Sequence, residues 1–280
     1  MRRALALVYR NLAAVVLGGC TAANPPASAP PALAPAPPPA VSIPEATPEP
    51  EVASPIEVVA DSSDCRPSPR PRKSTSVPRA VSPAAGDPVR GQFGMKEALA
   101  GLSGGFPLVA TLETSHGTLS CELWDEVAPL AVANFVGLAR GIRPFLDPTS
   151  STWAARPAYD GVIFHRVISG FMIQGGDPTG TGRGEPGYVL PDELDAGIVA
   201  APGVLYMANR GPDTNGMQFF IMHGVAQHIT GRYTAFGRCE PLEVVDRIAR
   251  VPTSGGAGRP AQPPVIRRVT IALAGPCSGH

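Results

Sequence analysis

From residue 108 the chain alternates. LVATLETSHGTLSCELW, residues 108 to 124, sets apolar against polar side chains with a period of two on both sides of His116 and Gly117, which predicts a β-hairpin. At Pro129 the period changes. PLAVANFVGLARG opens with proline, carries Leu130, Ala133, Asn134, Val136, Gly137 and Leu138 along its length and closes at Gly141, the pattern of a largely apolar helix. Beyond it, VIFHRVI (162 to 168), FMIQGGD (171 to 177), GVLYMAN (203 to 209), MQFFIMH (217 to 223) and TAFGRC (234 to 239) read as strands. PLEVVDRIAR (241 to 250) reads as a helix and VIRRVTIAL (265 to 273) as a last strand. Many strands with two helices and no internal repeat predict an antiparallel sheet or barrel with helical caps.

The first third of the chain has no such pattern. Eighteen of the 34 prolines lie between residues 21 and 90, among Ala, Ser and charged residues with almost no aromatic side chains, so this stretch has little with which to build a core. A disordered, Pro/Ala-rich tether is expected over 21–103, a globular domain over 104–275 and a short tail over 276–280. Net formal charge is zero, which removes the whole-molecule field as an argument for a nucleic-acid partner. Within the tether, charge is segregated. Glu45, Glu49, Glu51, Glu57, Asp61 and Asp64 come first, and Arg66, Arg70, Arg72, Lys73, Arg79 and Arg90 follow with Asp87 among them. A solvated spacer and a basic segment docking on an anionic envelope surface are both open readings.

Residues 1–20 carry a basic start, a short apolar run interrupted by Arg10, and small residues before Cys20. They resemble a secretory signal peptide, and the run is too short for a permanent span. Leu17, Gly18, Gly19 and Cys20 resemble a bacterial lipobox, which implies lipidation of Cys20 and a lipid-anchored protein of the cell envelope facing the periplasm or exterior; simple secretion is the alternative. Cys65, Cys121, Cys239 and Cys277 remain, an even number that permits two disulfides in three connectivities. Buried thiols at Cys121 and Cys239 are equally open, and no CxxC or Cys/His spacing suggests a metal.

Three segments carry the chemistry. FHRVISGFMIQGGD (164 to 177), YMANRGPDTNGMQFF (206 to 220) and GRYTAFG (231 to 237) together resemble the cyclophilin family of peptidyl-prolyl isomerases, and the likeness covers about residues 104 to 275. It implies a mostly β fold, an eight-stranded antiparallel barrel closed by a helix at each end. It also implies that Phe171, Met172, Phe220 and Ile229 form an apolar pocket for a proline ring, with Tyr233 at its border. Gln174 then orients Arg166, the backbone of Asn209 pairs with an extended peptide, and Ala208 and Gln218 line the neighbouring groove.

The residue types suit such a reaction. Rotation about a peptide bond is opposed by about 18–20 kcal/mol of lost amide conjugation, and for prolyl bonds it takes tens of seconds or longer unaided. Catalysis needs a site that binds the twisted amide better than the planar one, with a donor aimed at the pyramidalising nitrogen. An always-ionised guanidinium is such a donor, which makes Arg166 the central candidate; no cofactor is called for. Two residues apart in a strand, Phe164 and Arg166 are expected on one face and His165 on the other. Without the resemblance, Phe164, Phe171, Met172, Phe219 and Phe220 would each read as core and Arg166 as a surface or salt-bridged arginine. The Gly-rich runs at 175 to 187 and 209 to 216 match no phosphate-binding pattern. His165 and His223 come without a GxSxG or paired base, and Asp192, Glu193 and Asp195 read as a solvated, turn-capping loop.

Two positions differ from the animal cyclophilin pattern: His228 stands where tryptophan is usual and Tyr233 where histidine is frequent. Arg210 adds charge at the groove. Residues 142 to 159 form a longer connection that resembles envelope-type bacterial members. The expected function is isomerisation of X–Pro bonds in unfolded or maturing envelope polypeptides by a monomer. A proline-peptide binding or chaperone module with little turnover is the rival, and an envelope scaffold is a third reading.

Overall fold

The computed structural model describes residues 82–83 and 85–275; Cys20, Cys65, Cys277 and the expected leader lie outside them. In chain order the elements are β1 Ser82–Pro83, α1 Met95–Ala98, β2 Leu108–Thr114, β3 Gly117–Leu123, α2 Pro129–Arg140, β4 Phe145–Asp147, β5 Thr152–Ala154, β6 Val162–Ile163, β7 Arg166–Ile168, β8 Met172–Gly175, β9 Tyr188–Val189, β10 Val204–Met207, β11 Phe219–Met222, β12 Ala235–Glu240, α3 Leu242–Ala249, β13 Thr253–Ser254, β14 Arg259–Pro260 and β15 Val265–Leu273.

The main sheet is antiparallel, in the order β6-β15-β2-β3-β12-β10-β11-β8-β7. Its two edge segments, β6 and β7, belong to the single run Val162–Ile168, interrupted only at Phe164 and His165. One stretch of chain thus serves both edges, and the nine segments count as the eight strands expected. The interruption corrects the expectation that Phe164 and Arg166 share a face. Alternation requires an unbroken strand, and this one is broken. Phe164 instead packs in the interior with Val167 and Ile173, while Arg166 pairs with Gln174 across β7 and β8 on the other side.

Inside the barrel, Phe135 of α2 meets Tyr159, Phe219 and Phe236 at centroid distances of 5.0, 5.5 and 5.4 Å. α2 lies against α1 and β15 and buries every residue from Ala131 to Ala139. The helix packs on more than one side, which explains why its apolar residues are not confined to a stripe. At another part of the sheet, α3 buries Val244, Val245, Ile248 and Ala249 against β3, β7, β8 and β12. Cys121 and Cys239 face each other directly in the β3–β12 ladder and form a disulfide, which selects among the readings left open above.

The tether expected through residue 103 stops short of that point. The Asp87 carboxylate meets the guanidinium of Arg143 at 2.9 and 3.0 Å, both side chains at most 2 % exposed, and Arg143 stacks 3.9 Å over the Tyr188 ring. Burial alone would raise the Asp87 carboxyl's pKa, but hydrogen bonds from Arg143 and from the Gly91 and Val89 amides hold it below the ordinary range. α1 follows, with Ala98 fully buried. Residues 85–103 are part of the globular unit because the partner of an apparently solvated aspartate lies 56 residues downstream. The 142–159 connection supplies that partner and adds the short β4–β5 hairpin.

Candidate functional site

β8 and β11 pair in register, Gln174 beside Phe220 and Met172 beside Met222. Strand alternation sends Ile173, Phe219 and Ile221 into the interior cluster and Met172, Phe220 and Met222 into a second cluster on the opposite face. Around that face Arg166, Phe171, Met172, Gln174, Ala208, Asn209, Phe220, His228, Ile229 and Tyr233 line a cavity of about 240 Å³. Of the ten side chains proposed from sequence, this cavity collects nine. Gln218 is the exception and lines a smaller adjoining cavity of about 60 Å³, which also includes Gln174, Ala208 and Asn209 together with Glu185, Arg210 and Thr214.

The cavity has a greasy floor and one charged wall. Met172, Phe220 and Ile229 are at most 5 % exposed. Phe220 stacks on Tyr206 at 5.3 Å and takes the edge of Tyr233 at 5.6 Å. The Phe171 ring faces His228 at 5.5 Å, so an imidazole occupies the rim position discussed above. Arg166 rises from β7 and donates from Nη1 to Gln174 Oε1 at 3.4 Å. Gln174 in turn donates to Gln218 Oε1 at 3.1 Å, and Gln218 donates to the Gly184 carbonyl at 3.0 Å. This row of amides is anchored to a loop, and it limits the rotamers open to the guanidinium.

That loop is itself built around one buried acid. Asp177 accepts from the amides of Thr179, Gly182 and Gly184 and from the Thr179 hydroxyl. Burial would raise its pKa, but the hydrogen bonds from Thr179, Gly184 and Gly182 outweigh it and keep the carboxyl ionised below the usual range. His165, behind the site, is 6 % exposed and neither ring nitrogen has a protein hydrogen-bond partner. Burial lowers its pKa, so it is a neutral imidazole in a structural setting. Glu193 is also not the solvated loop residue expected. It is 2 % exposed and caps the start of α2 by accepting from the Leu130 and Ala131 amides.

Asn209 is held by its side chain, which donates to Asp192 and Asn215, and its neighbour Ala208 donates its amide to the Gln218 carbonyl at 2.9 Å. Arg210 pairs with Glu185 and also donates to the Arg183 carbonyl at 3.1 Å. Glu185 carries no sequence signal for this role, since the pair joins two loops 25 residues apart and neither has a periodic pattern. Among the described residues no cluster of His, Cys, Asp and Glu could hold a metal ion, and no helix is long and apolar enough to cross a membrane.

The arrangement offers a cavity with an apolar floor, a guanidinium at its edge and, among its lining residues, no paired nucleophile and base. The chain is also similar to known proteins. The family profile described as "Cyclophilin type peptidyl-prolyl cis-trans isomerase/CLD" matches residues 109–271. Peptidyl-prolyl cis-trans isomerase A of Mycobacterium tuberculosis is 48% identical over 166 residues, covering 58% of this chain and 91% of the relative. Peptidyl-prolyl cis-trans isomerase B of Streptomyces anulatus is 44% identical over 168 residues, covering 59% and 96%. The crystal structure of a Cryptosporidium parvum cyclophilin-type isomerase, 31% identical, superposes with a TM-score of 0.51 over 59% of this chain and 98% of that one; a structure of the same protein in the presence of the dipeptide Ala-Pro gives 0.50. Motifs, barrel, cavity and profile agree over the same stretch of sequence, and the chain belongs to the cyclophilin-type peptidyl-prolyl cis-trans isomerase family.

Proposed function

We propose that the chain accelerates rotation about X–Pro bonds of unfolded or maturing envelope proteins, with Arg166 as the group that favours the twisted amide. The observation that carries the reading is the position of Arg166: a guanidinium tied to Gln174 at the rim of a cavity floored by Met172, Phe220 and Ile229. With the proline ring held in that floor and Phe171 closing one side, the substrate nitrogen lies within the reach of Arg166. As the bond twists, the nitrogen lone pair is freed from the carbonyl and accepts a hydrogen bond that the planar amide cannot. An acceleration of ~10⁵-fold needs about 7 kcal/mol, which one charged hydrogen bond and immobilisation of the ring can supply together. The groove at Ala208, Asn209 and Gln218 takes the extended chain before the proline. The Cryptosporidium relative solved in the presence of Ala-Pro supports a proline-containing peptide as the ligand.

Localisation enters the same proposal. The lipobox-like LGGC ending at Cys20 supports a lipid anchor in a bacterial envelope membrane, the Pro-rich stretch after it supplies reach, and the Cys121–Cys239 disulfide suits an oxidising compartment. The first test is isomerisation of an Ala-Pro tetrapeptide by the purified full chain. Rapid turnover is expected; peptide binding without turnover would make this a binding module. Cys20→Ser tests the anchor by cell fractionation, and membrane association unchanged by that variant would remove it.

A further inference from the structure

Phe171 is an aromatic wall of the cavity that stands outside the regular strands. It precedes β8, in the turn that links β7 to β8, and its amide donates to the Ile168 carbonyl at 3.0 Å. What fixes it comes from the far end of β11. The His223 and Gly224 amides both donate to the Phe171 carbonyl, at 2.8 and 3.1 Å. The His223 side chain then reaches the residue before: the Gly170 amide donates to His223 Nδ1 at 2.8 Å. Its other nitrogen, Nε2, faces Asp246 Oδ1 of α3 at 3.1 Å, and Asp246 is held from below by Arg250 at 2.7 Å. The two backbones approach so closely that a Cβ on Gly224 would lie 1.9 Å from the Gly170 carbonyl oxygen.

This pattern assigns the tautomer. Because Nδ1 accepts from an amide, the ring proton sits on Nε2 and is donated to Asp246. From this geometry we infer that His223 is a positioning residue for the isomerase site, in which Nδ1, oriented through Asp246, holds the Gly170–Phe171 turn so that the Phe171 ring faces the cavity. The inference rests on the assignment of that cavity as the isomerase site. His223 touches no substrate; it acts through Phe171. Its loss frees the Gly170 amide and lets the turn relax, so that the ring spends less time in place against the bound proline.

The test compares side chains that place an acceptor differently. In the full chain, His223→Asn keeps an oxygen where Nδ1 stands, His223→Gln moves that oxygen outward by one methylene, and His223→Phe keeps the ring without an acceptor. Steady-state isomerisation of the Ala-Pro tetrapeptide is measured for each, with the melting temperature beside it. The expected result is a roughly three- to tenfold rise in KM for His223→Phe and His223→Gln with kcat little changed, the size of one lost hydrogen bond expressed in binding, and recovery to within about twofold of the unsubstituted chain in His223→Asn. Asn and Gln differ by one methylene, so a general folding defect would strike both and a positioning role only the second. Wild-type KM in His223→Phe and His223→Gln overturns the inference, and so does an Asn variant as impaired as the Gln variant. Arg166→Ala in the same assay separates the two levels. If it loses turnover while the His223 variants keep the KM of the unsubstituted chain, only the positioning role falls; if it keeps full turnover, the site assignment falls and takes this inference with it.

Discussion

Phe219 and Phe220 are neighbours on one strand, nearly equal in burial, and they belong to different parts of the molecule. Phe219 is fully buried and meets Phe135 and Tyr159 edge-on inside the barrel. Phe220, 5 % exposed, turns outward to Tyr206, Tyr233 and the cavity. The same division runs along β8, where Ile173 faces inward and Met172 and Gln174 face the site. An outward-facing strand surface normally becomes polar. Here it stays apolar because the second cluster, with Ile198, Ala200, Ala226 and Ile229 from the loops, packs over it beside the cavity. Burial alone therefore does not separate core from site; the direction of the side chain does.

Substitutions on the two faces should separate stability from activity. Phe219→Ala removes a ring from a filled interior and is expected to cost about 3–5 kcal/mol of stability, visible as a lower melting temperature with near-normal turnover per folded molecule at low temperature. Asp87→Ala leaves Arg143 buried without its partner and should cost about 3–5 kcal/mol as well, with catalytic constants unchanged, measured by denaturant unfolding and the isomerase assay on the same preparation. Phe220→Ala acts on the other face. It should reduce kcat/KM by roughly 10- to 100-fold, in line with the loss of about 1.5–3 kcal/mol of apolar contact with the proline ring, while destabilising less than Phe219→Ala because the void opens to the cavity.

The smallest effect belongs to pH. Burial pushes the Glu193 carboxyl up to about 7, and the amides of Ala131 and Leu130 pull it back only in part. The folded chain then binds this proton more tightly than the unfolded one, whose glutamate has a pKa of about 4.3. The resulting stabilisation is fully present below about pH 4.3 and is lost as pH rises through about 7. The unfolding midpoint should accordingly fall between pH 5 and 8 in the unsubstituted chain and fall less in Glu193→Gln, by the equivalent of about 2–3 kcal/mol. Parallel falls in the two proteins would contradict the assignment.

Much of the barrel was legible because its longest elements are periodic. The 108–124 hairpin folds with Thr114 paired to Gly117, α2 runs from Pro129 to Arg140 with Gly141 beyond it, and β15 spans Val265–Leu273 as its alternation implies. The residues of the candidate site were grouped by motif rather than by period, since the apolar run of β11 does not say which phenylalanine faces in. What stayed hidden depends on distance. Asp87 and Arg143, Glu185 and Arg210, and His223 and Gly170 are partners whose pairing leaves no local pattern. The break at Phe164 and His165 was hidden for a related reason: closure of the sheet requires it, and a local window records only an apolar run.

We infer that the outward face of β7, β8 and β11 is a catalytic site organised around Arg166. The decisive experiment measures kcat/KM for the Ala-Pro tetrapeptide with Arg166→Ala beside the unsubstituted chain, together with melting temperature and peptide affinity. A loss of about 10²- to 10³-fold is expected, with the melting temperature and affinity nearly unchanged. Turnover equal to that of the unsubstituted chain would contradict it.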